Sequence, residues 1–295
     1  IEVIETRDLV ALSAAQVTAF GAAGIVALTT EQVAVLKTDQ VAGLSTAQIG
    51  ALDTAQVVAL STNAVRVLTT AQAATLSSEQ VSVMETAQVA ALTTATMRNL
   101  TNDAVAALTT GQVNVLSTAQ TSALSNGQVA SLTTDQIQAL QTRNIATLST
   151  AQVQALDDTG ADVLTSAQIN ALTSAQAAAL TTAQIATLST DQITALSVNN
   201  VRVLTVAQAA ALNSEQVNAF STAQIGALST ADVRALTTDA IGGLSASQMA
   251  ALSTLQVSSL TTTQVQALAT DQVAAMETAD IRALTTAQAM VLSSE

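Results

Sequence analysis

Residues 44–60 read LSTAQIGALDTAQVVAL. Leu44, Leu52 and Leu60 recur every eight residues, and Ile49 and Val57 follow the first two by five. Neither regular element accommodates that spacing over any length. In a continuous α-helix, at about 100° per residue, each eight-residue step carries the Leu about 80° further round the cylinder, so no face stays apolar. In a flat strand Leu44 and Ile49 point to opposite faces. The backbone has to turn once in every octad.

Ser45 marks where. With Ser45 as a helix N-cap, Gln48 stands at N3 and completes the S/T-x-x-Q capping box, while Leu44 at N′ and Ile49 at N4 form the hydrophobic staple. One octad later Asp53, Gln56, Leu52 and Val57 take the same four places. The spacing predicts helices of about six residues, each starting after a Ser or Thr and stopping near the next Leu.

The same phrase fills the chain. Every eighth residue from Ile4 to Leu292 is large and apolar: 37 sites made of 32 Leu with Phe20, Phe220, Met84, Met276 and Ile4, and no insertion or deletion. Gln precedes the second apolar site in 25 of 36 octads. A longer period lies over the short one, because NAVRVLTTAQAATLSSEQV at 63–81 returns as NNVRVLTVAQAAALNSEQV at 199–217, 17 octads further on. The 295 residues therefore read as one continuous repeat array, with two super-repeats at approximately 1–136 and 137–272 and the start of a third at 273–295. Beginning at Ile1 with no Met or signal-like stretch, the chain is expected to be a segment of a longer protein.

Charge placement agrees with the capping assignment. Of 21 acids, 19 fall between N-cap and N3, and five of seven Arg (Arg66, Arg98, Arg202, Arg234 and Arg282) fall at N5. Acids at the start of a helix and bases toward its end are what the macrodipole favours. The expected fold is all-α, a regular solenoid or superhelix of about 37 eight-residue repeats, each a short capped helix. The competing arrangement is a β-solenoid with two octads per coil, its strands supplied by Thr and Val. Such coils need corner residues, yet Gly totals ten and Pro is absent. Helices this short do not hold in isolation, so each octad has to lean on its neighbours, and the small residues at N2 and N6 would let adjacent turns approach closely.

Composition limits the chemistry. The chain has no Cys, His, Trp, Tyr or Pro and a single Lys, Lys37. Ser and Thr are everywhere but no general base stands beside them, so no enzyme is expected, and no catalytic, cofactor-binding or metal-ligating residue is assigned. A net charge of −13, with eight scattered bases, argues against a nucleic-acid partner. No apolar run reaches the roughly 18 residues of a membrane span, and no small-molecule substrate is expected. Asp157-Asp158 is read as a cap and surface pair, because a calcium site requires several convergent oxygens. Gly24 and Gly160, 17 octads apart at the Gln position, mark either a bend or lateral contact or, more simply, drift. Arg66 and Arg202 face two equal readings, ion pairing with a neighbouring turn or chain and a solvated face. For the Gln residues the capping role is preferred to a polar ladder.

The octads LSTAQIGA (44–51) and LSTDQITA (188–195) resemble the octapeptide-repeat regions of very long bacterial secreted or surface proteins, described as adhesin-like or haem-utilisation proteins. The resemblance implies an extracellular or cell-surface location and a structural or adhesive role. Haem binding does not carry over, since there is no His or Cys to ligate iron. The expected function is that of a non-enzymatic structural repeat protein forming an extracellular filament, sheath or adhesin stalk, through self-association or lateral packing with identical chains. An ice- or surface-binding solenoid with a regular Ser/Thr array and a passive spacer for a distant functional domain are the alternatives.

Overall fold

The cap at Ser45 forms as the sequence predicts. In the computed structural model its hydroxyl accepts the Gln48 amide at 3.2 Å and its own amide donates to Gln48 Oε1 at 2.8 Å, opening the helix Thr46–Ala51. Asp53 repeats the exchange with Gln56 at 2.7 and 3.0 Å and opens Thr54–Ala59. The staple residues Leu44 and Ile49 are both buried. At the far end Leu52 leaves helical space at φ −57°, ψ 132°, and its amide closes onto the Ile49 carbonyl at 3.3 Å, an i to i−3 bond that tightens the last turn. In six-residue helices such as these the Leu is thus the C-cap of one helix and the N′ residue of the next, whereas in shorter ones such as Thr30–Ala34 the C-cap is the residue before it, Val35.

This junction explains how the chain turns every eight residues without a regular Gly. Leu52 and Asp53 are both extended, a conformation any L-residue adopts. Among the described residues, which are 3–156 and 163–292, only Gly21 has a positive φ, at 67°. There are 35 helices of four to seven residues and no strand among them. The corners that a β-solenoid would take from Gly and Pro are supplied here by Leu-Ser and Leu-Thr pairs. The box is incomplete at Lys37 and Glu85, where Gln40 and Gln88 still accept the N-cap amide but the N-cap side chain makes no capping bond.

The chain divides into two compact units, Ile1–Leu148 and Ser149–Glu295, and each is a helical solenoid. Helices three places apart in sequence stack, as Thr30–Ala34 does on Thr54–Ala59 in the first unit and Ser214–Ala219 on Thr238–Gly242 in the second. Side-chain bonds between turns join residues 25 to 31 apart, from Thr18 Oγ1 to the Gly43 carbonyl at 2.8 Å up to Gln56 Nε2 to the Ile25 carbonyl at 3.0 Å. One turn therefore takes about 28 residues, close to three and a half octads. Because that is not a whole number, a helix starts over the junction between two helices of the turn before.

Three rows of each octad face inward: the Leu row, the N4 row of Val and Ile, and the N3 row of Gln. N-cap, N1, N2 and N5 lie on the outside. Neighbouring turns come close where the small residues sit. A Cβ built on Gly43, at N6, would stand 3.0 Å from Ala14 Cβ, and one on Gly242, at N5, 3.1 Å from the Ala267 carbonyl oxygen. The octad FGAAGIVA departs from the pattern: helix Gly21–Val26 has no side-chain cap, and its entry is bent by Gly21, while Gly24 lies buried in the helix. Asp157-Asp158 and Gly160 lie outside the described residues.

Leu116, 1% exposed, sits among these inward rows. Leu116→Ala should lower the free energy of local opening by about 2–5 kcal/mol, read by native-state hydrogen exchange of the Val113 and Leu116 amides. Unchanged protection there would show that the Leu row does not hold the turns together.

Candidate functional site: glutamine links between turns

An isolated six-residue helix leaves nearly all of its end groups unpaired, because the first four amides and last four carbonyls of any helix lack intrahelical partners. In this chain one side chain serves both ends. Gln56 Oε1 accepts the Asp53 amide at the start of its own helix, while Gln56 Nε2 donates to the Leu28 carbonyl at 2.8 Å and the Ile25 carbonyl at 3.0 Å, at the end of a helix one turn earlier. Gln72 does the same to Leu44 and Val41 at 2.8 and 2.9 Å, and Gln80 to Leu52 and Ile49 at 2.8 and 2.9 Å. The pattern recurs in the second unit, where Gln216 reaches Leu188 and Ile185 at 2.8 and 2.9 Å. In these links the bonded carbonyls stand 28 and 31 residues back, at the Leu and the N4 residue, with the N5 carbonyl 30 back joining them at Gln56, while Gln48, opposite the irregular octad, reaches Thr18 and Gly21 instead.

Burial follows from this geometry. Gln48, Gln56 and Gln88 are each 1% exposed, which for an amide is tolerable only when donors and acceptor are all matched. Gln16, whose partners one turn back would precede the first residue, keeps its capping box and is exposed. The Gln row is therefore both cap and ladder, and preferring the capping role alone undervalued it. Nothing within a single octad could have shown the second role, since it appears only when the turn length brings a carbonyl of the preceding turn to each amide.

Substitutions within the row separate the two roles. Asn144 and Asn200, one methylene shorter, still reach the Leu116 and Leu172 carbonyls at 2.9 Å. The shorter reach has a cost at Asn144, whose Oδ1 is buried without a partner, as is the hydroxyl of Thr121 in the N4 row. Thr96 keeps a link to the Leu68 carbonyl at 3.2 Å. Asp232 keeps the cap instead, accepting the Ser229 amide at 2.9 Å, and Asp280 accepts the Glu277 amide at 3.0 Å. An ionised carboxylate only accepts, so it supplies the half of the box that faces the N-cap and not the donor that faces the earlier turn.

Of the other residues singled out from sequence, Arg66 and Arg202 are both exposed, and among the described residues neither has a carboxylate within ion-pair distance. Arg202 Nη1 donates instead to Asn199 Oδ1 at 3.2 Å. The pairing reading across turns of one chain is not what these two side chains do. The described residues hold no group of three or more carboxylates placed to share a metal ion, and no helix long and apolar enough to cross a membrane.

Replacing Gln56 should distinguish its two tasks. Gln56→Leu removes both links, leaving the buried Leu28 carbonyl without its donor and the Ile25 carbonyl with the Leu28 amide alone, an expected loss of about 2–4 kcal/mol in local opening. Gln56→Asn, which keeps the reach to Leu28 as Asn144 does to Leu116, should cost about 1–2 kcal/mol. Exchange of the Asp53 and Val57 amides reads both, and equal losses would mean that the link between turns contributes nothing.

A family model described as the ALTTAQ repeat matches residues 1–38, 34–62, 51–84, 81–118, 137–174, 199–230, 218–254, 227–262 and 247–278. No curated protein matches the chain.

Proposed function

Starting from the premise that the chain belongs to the ALTTAQ repeat family, we propose that it is a non-enzymatic structural element, part of an extracellular filament, sheath or adhesin stalk. The observation that carries this reading is the Gln link. Each turn is bonded to the one before it by the same side chain in the same register, so adding octads adds length without requiring any new kind of contact. The inward rows are filled by Leu, Val, Ile and Gln, and the groups that would do chemistry at a neutral pH, His and Cys, are absent from the sequence. The tandem copies 17 octads apart fit a protein whose length is set by duplication, with 1–136 and 137–272 as the duplicated blocks.

Cell-surface placement and association with identical chains belong to the same proposal. A composition without Cys is indifferent to redox conditions, and a net charge of −13 keeps exposed repeats soluble. The experiment is negative-stain microscopy and small-angle scattering of the purified chain, together with antibody labelling of intact source cells. Elongated particles that associate, and labelling without permeabilisation, are expected. A monomer with the radius of an ordinary 295-residue globule, or labelling that requires lysis, would overturn the proposal.

A further inference from the structure

In the second unit the exposed charges sort by sign around the solenoid. With a turn of about 28 residues, two positions lie on the same side when their separation is near a multiple of that number. Arg202, Arg234 and Arg282 are 32 and 48 residues apart, about 1.1 and 1.7 turns, and so fall within roughly a third of the circumference, Arg234 and Arg282 on either side of Arg202. Asp191, Glu215, Asp239 and Asp271 are 24, 24 and 32 apart and occupy another third, centred about half a turn from the first. All seven are exposed, and the exposed Glu277 stands between the two groups. The three arginines and four acids still occupy opposite parts of the circumference when the turn is shortened to 25, the smallest step that the bonds between turns span, with Glu277, 75 residues from Arg202, then falling on the arginine side.

Opposite charges on adjacent octads could have paired within the chain, yet among the described residues the ion pairs are those of Arg7 with Glu5 and Asp8 in the other unit. The three arginines of this unit are left with their charge facing outward. Their side also carries the most exposed apolar residue of the unit, Leu255 at 72%, with Ile281 at 44%. Arg234 lines a shallow groove with Ser258, Thr261, Thr262 and Thr285, hydroxyl-bearing neighbours that suit an entering carboxylate. Arg together with an apolar anchor is the composition of interface cores, whereas a surface meant only for solvent needs neither.

We infer that this arginine face is a lateral docking surface for a second copy of the chain, receiving the acidic face of its neighbour. Both faces belong to one molecule, both recur at the pitch of the same turn, and they point in roughly opposite directions, so association is heterologous and continues side by side. The inference rests on the structural-polymer reading above and names the contact that such a polymer uses between chains.

Two full-length variants test it, with circular dichroism to verify that each keeps its helices. One carries Arg202→Glu, Arg234→Glu and Arg282→Glu, and the other Asp191→Lys, Glu215→Lys and Asp239→Lys. The wild-type chain should associate in sedimentation velocity, roughly tenfold less at about 500 mM salt than at about 50 mM, because the pairing is screened. Each variant alone should associate at least about tenfold more weakly than wild type, and an equimolar mixture of the two should restore association. Should the lysine variant lose helicity, the arginine variant and the salt series decide. Side-by-side assembly that persists in both variants, or a mixture that stays dissociated, overturns the inference while leaving the polymer reading intact. A wild-type chain that stays monomeric at every salt concentration overturns both. Binding to vesicles containing phosphatidylglycerol, lost in the arginine variant and unaccompanied by self-association, assigns the face to a lipid surface and overturns the second-copy assignment.

Discussion

The structure depends on one amide. Because each helix is too short to satisfy its own ends, the fold exists only if some group reaches from the start of one helix to the end of another, and Gln at N3 is that group. Its oxygen is held by the N-cap amide of its own octad and its nitrogen by two carbonyls a full turn earlier. Local capping and the stacking of turns are therefore coupled, since fixing the side chain for one purpose aims it for the other. The apolar rows on either side supply the burial that drives collapse, and the Gln row sets the register in which the collapse occurs.

That coupling accounts for what varies and what does not. The outward positions accept Thr, Ala, Asn, acids and bases in turn, because they meet solvent and only the helix dipole biases their charge. The N3 position accepts Asn, Thr, Ala and Asp at intervals, each keeping part of the double role or neither, and the array tolerates them because Gln octads flank each one, or each adjacent pair such as Thr96 with Ala104 and Asp232 with Ala240. A repeat whose stability is shared among nearest neighbours can carry isolated weak links that a globule with one core would feel throughout. This is also the property a structural polymer requires, and it leaves the exterior available for contacts between chains.

Much of this was legible in the octad. Leu44, Ser45, Gln48 and Ile49 are enough to specify a capped helix and its staple, and acids at the N-terminal positions agree with them. The objection that turning coils need Gly or Pro was resolved in the direction the capping boxes pointed, because Leu52 and its successor turn the chain in an extended conformation. The bend associated with FGAAGIVA falls not at Gly24 but at the start of the octad: the left-handed residue is Gly21, and Gly24 lies within the helix. Residue type marked the octad as irregular, but only the backbone shows which glycine needs its freedom.

What the sequence determined by itself is everything that acts within about one octad: where each helix starts, which side chains cap it, and which two rows face inward. These follow from bonds between near neighbours, whose geometry the spacing dictates. The tertiary structure decided the turn of about 28 residues, and with it the second bond of every Gln and the sorting of Arg202, Arg234 and Arg282 away from Asp191, Glu215 and Asp271. The angle at which one short helix follows another is set by how Leu, Val and Gln pack against the turn below, and no single octad contains its own neighbour a full turn away.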